Sequence, residues 1–307
     1  MPHGRFAPSP TGRLHLGNLR TALAAWLFAR HDGGRFVLRF DDLDLGAVRG
    51  EHYRTQPDDL AALGLNWDGE PRRQRDRIDR YRTVIDRLVA DSALYPCYCT
   101  RREIREAAMA PNSPVAGHAY PGTCRDLDRA GRARREATGR TPAWRFRCGD
   151  RIGGREVGFT DRIAGPVCFP VDDFVVARND GTPAYHLVTV VDDADDGTRL
   201  VVRADDLLES TARQLALSHH LGLPVPDHAH VPLVLGPGRR RLAKRDGAVT
   251  LPDRLSRGEG VADVLGFLAS SLGQWPADTP ATATEVLARF DPALLPRSPL
   301  VLGRAVT

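Results

Sequence analysis

The sequence almost lacks lysine. Of its 43 lysine and arginine residues, all are arginine except Lys244. A planar guanidinium does not substitute for a compact ammonium on a flexible stem wherever a site needs a mobile point charge. We therefore predict that position 244 has a role that arginine does not fill. The alternative is that this one lysine persists by chance.

Long apolar runs are also absent. No stretch approaches the roughly 20 residues of a membrane-spanning helix, and the N-terminus has no signal-peptide pattern. These absences exclude a membrane protein and predict a cytoplasmic one. In that compartment the five cysteines would be reduced, which excludes a small domain stapled by disulfides.

The composition is otherwise ordinary for a globular protein. The 307 residues are 42% hydrophobic and 27% charged, enough for one large domain with an insertion or for two domains. The net charge of +4 is mildly favourable for a polyanionic partner such as RNA.

The most informative stretch is RFAPSPTGRLHLGN at residues 5–18. Prolines and a glycine exclude regular structure between Pro8 and Gly12, and residues 19–28 are rich in helix formers. We predict a strand that ends at Ala7, a loop, and a helix that begins near Leu16. The N–H groups at such a helix N-terminus bind phosphate well. The alternative is an ordinary turn between a strand and a helix.

A second strand is predicted at residues 34–40, followed by the acidic run Asp41-Asp42-Leu43-Asp44. Strand, helix and strand with polar residues at the carboxyl ends are typical of a doubly wound, Rossmann-type parallel sheet, and ligands bind at that edge. The fold class predicted is therefore α/β. The acids could instead only cap the next segment. Helices are predicted at 51–65 and 76–91.

Three cysteines lie close together in sequence: Cys97, Cys99 and Cys124. The Cys-x-Cys spacing is too tight for a comfortable disulfide, so two thiolates on one metal ion are favoured. On chemistry alone His118 is the natural fourth ligand. The alternative is that the three are small buried hydrophobic residues. Cys148 and Cys168 have no such partners and are predicted to be structural.

The middle of the chain reads as short strands between 141 and 177, with an Asn-Asp-Gly turn at 179–181. We expect four regions: the first half of the catalytic domain at 1–95, an inserted α+β subdomain with the metal site at 96–183, the second half of the catalytic domain at 184–235, and a lysine loop with a short helical segment at 236–307. In the second half, periodicity leaves 184–191 open between helix and strand. The elements predicted after it are a strand at 198–203 ending in Arg203, a helix to Leu221, and a last strand at 231–235.

Two motifs together resemble those of class I aminoacyl-tRNA synthetases. Residues 5–18 resemble the "HIGH" signature in the form seen in glutamyl and glutaminyl enzymes, and RLAKR at 241–245 resembles the "KMSKS" signature. In the latter, arginine replaces the first lysine and Lys244 matches the second. The resemblance covers roughly residues 4–250.

The resemblance implies specific site residues. The implied glutamate-binding residues are Arg5, Phe6, Ala7, Pro8, Ser9, Asp41, Tyr185 and Arg203. The implied ATP-binding residues are His15, Gly17, Asn18 and Lys244, of which His15 and Lys244 are catalytic. The implied ligands of one structural zinc are Cys97, Cys99, Tyr120 and Cys124, so that tyrosine takes the place given above to His118. Asp41 stands where the family pattern has a glutamate.

The implied reaction is activation of L-glutamate by ATP and Mg²⁺ as glutamyl-adenylate, followed by transfer to tRNA. Roughly sixty residues follow Lys244, too few for the usual anticodon-binding domain. The chain is therefore similar to the branch of the family that glutamylates the queuosine base in the anticodon loop of tRNA-Asp. We expect a monomer with no membrane partner. The alternatives are a truncated glutamyl-tRNA synthetase that charges tRNA-Glu and a non-catalytic tRNA-binding relative.

Overall fold

The computed structural model describes residues 3–108, 120–151, 156–241 and 249–302. Within them the helices are α1 Leu16–His31, α2 His52–Ala62, α3 Ile78–Ala90, α4 Arg101–Ala108, α5 Arg129–Glu136, α6 Cys148–Arg151, α7 Tyr185–Asp195, α8 Leu208–Leu221, α9 Leu251–Ser256, α10 Val261–Ser271 and α11 Ala283–Ala288. The strands are β1 His3–Phe6, β2 Arg35–Phe40, β3 Arg72–Arg73, β4 Leu94–Cys97, β5 Ala143–Phe146, β6 Glu156–Asp161, β7 Gly165–Pro170, β8 Val175–Ala177, β9 Leu200–Ala204, β10 Asp227–Val231, β11 Val234–Gly236, β12 Arg240–Arg241 and β13 Leu300–Val301.

Parallel strands form the core of the molecule. β1, β2 and β3 pair in that order in parallel, and β10 pairs in parallel with both β9 and β6. The amide of Arg199 donates to the carbonyl of His3 at 2.9 Å, which brings β9 beside β1. α1 packs on both strands with Leu19, Leu23 and Leu27 fully buried. The predicted α/β arrangement with parallel strands is confirmed.

The range predicted as an insertion contains two different sheets. β4, β5 and β8 form an antiparallel sheet of their own. The β6–β7 hairpin instead joins β10, so it extends the sheet of the second half. The predicted boundaries at 96 and 183 therefore do not follow the sheets. Strand patterns show where strands lie but not which strands pair, because the partner of β6 lies far along the chain.

Two elements of the second half differ in form or extent from their predicted ranges. Residues 184–191, left open between helix and strand, begin α7, whose buried face includes Leu187, Val188 and Val191. The strand predicted at 231–235 is divided into β10 and β11. Pro232 lies in the interruption and has no amide N–H for a sheet. β10 starts at Asp227, earlier than predicted. The prediction missed this start because His228 and His230, which are buried in the structure, read as polar in the sequence.

Residues 249–302 pack against the core through helices and a short strand. Arg20 of α1 is buried and donates to the carbonyl of Pro232 at 2.6 Å and to Ser271 of α10 at 3.0 Å. β13 pairs in parallel with β11 and extends its sheet. None of the helices in these described ranges is long and apolar enough to cross a membrane.

Candidate functional site

A cleft of about 600 Å³ opens where β1 and β9 end and α1 begins. The predicted site residues that line it are Arg5, Phe6, Ala7, Pro8, Ser9, His15, Gly17, Asn18, Asp41, Tyr185 and Arg203. The structure thus brings together residues from four separate stretches of the sequence. Lys244 and His118 lie outside the described residues.

His15 caps the helix whose N-terminus faces the cleft. Its Nδ1 accepts the backbone N–H of Asn18 at 3.2 Å, and the Oδ1 of Asn18 accepts the backbone N–H of His15 at 3.2 Å. Burial lowers the pKa of His15, so the ring is neutral near pH 7. Because Nδ1 accepts, the ring proton lies on Nε2, which is the donor left for a ligand. A Cβ on Gly17 would lie 3.0 Å from the His15 ring, so glycine leaves room for the imidazole.

The loop before α1 is held by α2 and β2. Gln56 donates through Nε2 to the carbonyls of Ser9 and Gly12, at 3.0 and 2.7 Å. The backbone N–H of Asp41 donates to the carbonyl of Pro8 at 3.0 Å. A loop that contains two prolines and a glycine is therefore fixed by its neighbours. Gln56 belongs to no recognised motif, and its role in holding this loop was not predicted from the sequence.

Two arginines converge on one buried carboxylate at one end of the cleft. Arg5 donates through Nε to Asp193 Oδ1 at 3.2 Å, and Arg39 donates through Nη1 to the same oxygen at 2.8 Å. Although burial opposes ionisation, Arg5 and Arg39 lower the pKa of Asp193 to about 2. Arg5 is thereby held rigidly at the cleft wall. Asp193 and Arg39 were not among the predicted site residues.

Asp41 lies beside these arginines. Its Oδ1 accepts from Arg39 Nε at 3.2 Å, and its side chain is 14% exposed. Burial raises the pKa of Asp41 to about 6, although Arg39 and Arg5 oppose the rise. The carboxylate is therefore charged at neutral pH and becomes protonated when the pH falls below about 6.

Arg203 lines the same cleft from β9, the strand that lies beside β1. Its Nη1 lies 3.3 Å from the hydroxyl of Tyr185, one helical turn before Thr189. The buried hydroxyl of Thr189 lines the same cleft and has no hydrogen-bond partner among the described residues. Thr189 is a further residue that sequence reasoning missed. The spacing of four residues from Tyr185 on one helix could have indicated it.

The two ends of the segment that carries Lys244 lie next to the cleft. Before it, Arg241 pairs with Leu235, next to the cleft residue Val234. After it, the carbonyl of Val249 accepts the N–H of Leu16 at 2.7 Å, and Thr250 forms a bridge with His15. Leu16 of the first motif is thus hydrogen-bonded to Val249, which follows the second motif in sequence.

The three predicted cysteine ligands form a cluster. The Sγ atoms of Cys97, Cys99 and Cys124 all lie within 4.8 Å of one another. Four ligands at ~2.3 Å around a tetrahedral zinc place sulfurs ~3.8 Å apart, so the cluster fits that ion. The hydroxyl of Tyr120 lies 3.4 Å from Cys97 Sγ and accepts the N–H of Cys124 at 2.8 Å. The hydroxyl of Tyr120 therefore lies beside the three thiols.

Comparison with known proteins gives one consistent family. A family profile described as "tRNA synthetases class I (E and Q), catalytic domain" matches residues 3–274. A "Glutamyl-Q tRNA(Asp) synthetase" of Nocardia farcinica is 54% identical over 97% of this chain and 92% of its own length. A protein of the same name from Symbiobacterium thermophilum is 47% identical over 97% of this chain and 94% of its own length.

Longer relatives match over only part of their length. A "Glutamate--tRNA ligase" of Aquifex aeolicus is 41% identical over 83% of this chain and 54% of its own. Among solved structures, a glutamate tRNA ligase from Elizabethkingia meningosepticum, in complex with its amino acid, superposes with a TM-score of 0.83 at 27% identity. It covers 99% of this chain and 67% of that one.

Proposed function

The chain belongs to the class I tRNA synthetases of the glutamate and glutamine type, a family of ligases, and we propose that it activates L-glutamate with ATP as glutamyl-adenylate. The observation that carries this proposal is the charge arrangement of the cleft. Two buried guanidiniums, of Arg5 and Arg203, share the cleft with the carboxylate of Asp41, and the N-terminus of α1 lies beside them.

The end of the cleft that is lined by Arg5, Asp41 and Arg203 matches the charges of glutamate. A guanidinium binds a carboxylate with paired hydrogen bonds, so Arg203 and Arg5 suit the side-chain carboxylate. Asp41 and the hydroxyl of Tyr185 suit the substrate ammonium. Aspartate is one methylene shorter than the glutamate of the family pattern, and the ammonium would therefore bind closer to Asp41 or through a water.

ATP with Mg²⁺ fits the other end, at His15, Gly17 and Asn18. In the reaction the α-carboxylate of glutamate attacks the α-phosphorus of ATP, the bond to the β-phosphate breaks, and pyrophosphate leaves. The attacking group is already an anion, so no general base is needed. The protein aligns the reactants and stabilises charge on the phosphate oxygens through His15 Nε2, the amides that open α1, and Lys244.

We further propose that Cys97, Cys99, Tyr120 and Cys124 hold one structural zinc. The clustered thiols and the adjacent hydroxyl support this set, whereas His118 is the competing fourth ligand. Bound zinc would fix β4 to the segment that contains Tyr120 and Cys124.

Zinc content tests this set directly. We expect about one equivalent of zinc in the dialysed wild-type protein and very little in Cys97→Ser, because removing one thiolate from a structural site lowers affinity steeply. Cys168→Ser, a change at an exposed thiol, is the matched control and should retain zinc. Comparing Tyr120→Phe with His118→Ala by competition with a chelator identifies the fourth ligand. Unchanged zinc retention in Tyr120→Phe, with loss in His118→Ala, would contradict the proposed set.

We propose that the acceptor is the queuosine base of tRNA-Asp. Support comes from the relatives named for that reaction, which match this chain over more than nine-tenths of their length in Nocardia farcinica and Symbiobacterium thermophilum. The competing acceptor is the 3′ end of tRNA-Glu, as in the relatives named glutamate–tRNA ligases.

Two assays test the proposal. ATP–pyrophosphate exchange should depend on L-glutamate, and absence of exchange would contradict adenylate formation. Labelled glutamate is then offered to queuosine-containing tRNA-Asp, queuosine-free tRNA-Asp and tRNA-Glu. We expect label only on the first. Label on tRNA-Glu alone would identify the competing function.

The raised pKa of Asp41 predicts a pH dependence for glutamate use. Above pH ~6 the carboxylate is charged and holds the substrate ammonium, whereas below that pH it is protonated and the contact is lost. We expect kcat/KM for glutamate in the exchange assay to fall about tenfold for each pH unit below 6. Asp41→Asn should give a low and flat profile between pH 5 and 8.

Asp59 supplies the control for this measurement. Burial also raises its pKa to about 6, although the neighbouring Arg13 opposes the rise. Asp59→Asn should keep the fall below pH 6 if Asp41 is responsible. A fall that persists in Asp41→Asn and disappears in Asp59→Asn would assign the titration to Asp59.

A further inference from the structure

A buried histidine and aspartate stand behind Arg203, on the side away from Tyr185. Arg203 donates through Nε to His230 Nε2 at 3.0 Å. The other ring nitrogen, Nδ1, lies 2.6 Å from Asp161 Oδ2. The three residues are at most 5% exposed. β9, β10 and β6, which are neighbours in one sheet, supply one residue each.

The hydrogen bonds around Asp161 fix the proton on the imidazole. Its Oδ1 accepts the backbone N–H groups of Ile163 and Ala164, both at 2.9 Å. Although burial opposes ionisation, the hydrogen bonds from His230 and the backbone lower the pKa of Asp161 to about 2. Burial lowers the pKa of His230, so its ring is neutral. The one ring proton lies on Nδ1, facing the carboxylate, and the lone pair of Nε2 faces Arg203.

The partners of Arg203 differ in charge from those of Arg5. In the described part of the chain, Arg203 donates to neutral groups: His230, Tyr185, the carbonyl of Leu207 and the hydroxyl of Thr211. Arg5 instead pairs with a carboxylate. A neutral acceptor orients a guanidinium without neutralising it. The charge of Arg203 therefore stays available for an anionic ligand in the cleft.

We propose that His230 and Asp161 are positioning residues for glutamate recognition, because Asp161 holds His230 in the tautomer that accepts from Arg203 and so fixes the guanidinium. This inference rests on the function proposed above. Neither residue reaches the cleft lining; both act through Arg203.

Asp161→Asn is the sharpest test. The Oδ1 of asparagine still accepts the backbone N–H groups of Ile163 and Ala164, which turns its NH₂ group toward His230 Nδ1. The imidazole must then accept at Nδ1 and carry its proton on Nε2, where it faces the N–H of Arg203. Two donors cannot bond each other, so Arg203 loses this anchor. We expect KM for L-glutamate to rise tenfold or more, with KM for ATP and kcat within about threefold.

Glutamine at position 230 can keep both hydrogen bonds. In His230→Gln the carbonyl oxygen can face Arg203 and the NH₂ group can face Asp161, as the two ring nitrogens do. KM for L-glutamate should therefore stay within about threefold of the wild-type value. In the double variant Asp161→Asn, His230→Gln two NH₂ groups face each other, so KM should rise as it does in Asp161→Asn.

The controls separate positioning from folding and from the proposed function. His228→Gln makes the same change at a buried histidine two residues away in β10, and KM should stay within twofold. Thermal unfolding is measured for every variant. If Asp161→Asn does not fold, His230→Gln is compared with His230→Ala, and only the alanine variant should raise KM tenfold.

The outcomes are distinct. Wild-type protein without glutamate-dependent exchange contradicts the proposed function, and this inference with it. Wild-type exchange with an unchanged KM in Asp161→Asn overturns the positioning role alone. In the second route, equal KM values for the glutamine and alanine variants overturn it.

Discussion

Replacing Lys244 by alanine is expected to lower glutamate-dependent ATP–pyrophosphate exchange by about 10²–10³-fold, with little change in thermal stability. The segment that carries Lys244 has both ends at the cleft, where Val249 is hydrogen-bonded to Leu16 and Arg241 pairs with Leu235. In the proposed reaction the ammonium of Lys244 stabilises the charge that develops on the phosphates. Loss of one such donor in a transition state costs ~3–4 kcal/mol.

Lys244→Arg separates the two explanations for the single lysine. If the site needs a compact ammonium, arginine should recover less than a tenth of the wild-type rate although it keeps the charge. Arg245→Ala removes a neighbouring charge and is the matched control, expected to stay within a few-fold of wild type. Wild-type exchange in Lys244→Ala would show that this lysine persists by chance and has no role in activation.

The local chemistry of the cleft was readable from the sequence because it lies in continuous stretches. Residues 5–18 contain a strand end, a proline loop and a helix start, and each follows from local propensity. The structure has β1 ending at Phe6 and α1 beginning at Leu16, as that pattern predicts to within a residue. Arg203 was also predicted as a site residue, because it ends a continuous run of apolar residues that reads as a buried strand.

What the sequence did not reveal depends on contacts between distant residues. Asp161 looks like the end of a hairpin strand, and His230 looks like a polar residue that argues against a buried strand. They come into contact with each other and with Arg203 only because β6 and β9 both pair in parallel with β10. Similarly, Asp193 lies in a run of aspartates, and only the fold shows that Arg5 and Arg39 share it. Residue type and spacing do not encode such long-range pairing.

His15→Asn is expected to lower kcat for exchange about 10²-fold without loss of stability. Asparagine is among the best helix N-caps, so its side chain can still accept the N–H of Asn18 and keep α1 capped. It is too short to replace the Nε2–H that the cap geometry leaves free for phosphate. The result would separate the observed role of this side chain, the capping of α1, from its proposed role, donation to the reacting phosphate.

Two further variants complete this test. His15→Ala removes both roles, so we expect the same loss in kcat together with a free energy of unfolding lower by ~1 kcal/mol, the usual cost of a lost cap. His15→Gln restores a side-chain N–H near the position of Nε2 but caps poorly, so part of the rate should return while stability stays low. Exchange rates and thermal unfolding are measured for all three variants. If activity followed stability across the series, with the asparagine variant fully active, His15 would serve only as the cap of α1, and the phosphate contacts would come from the helix amides and Lys244.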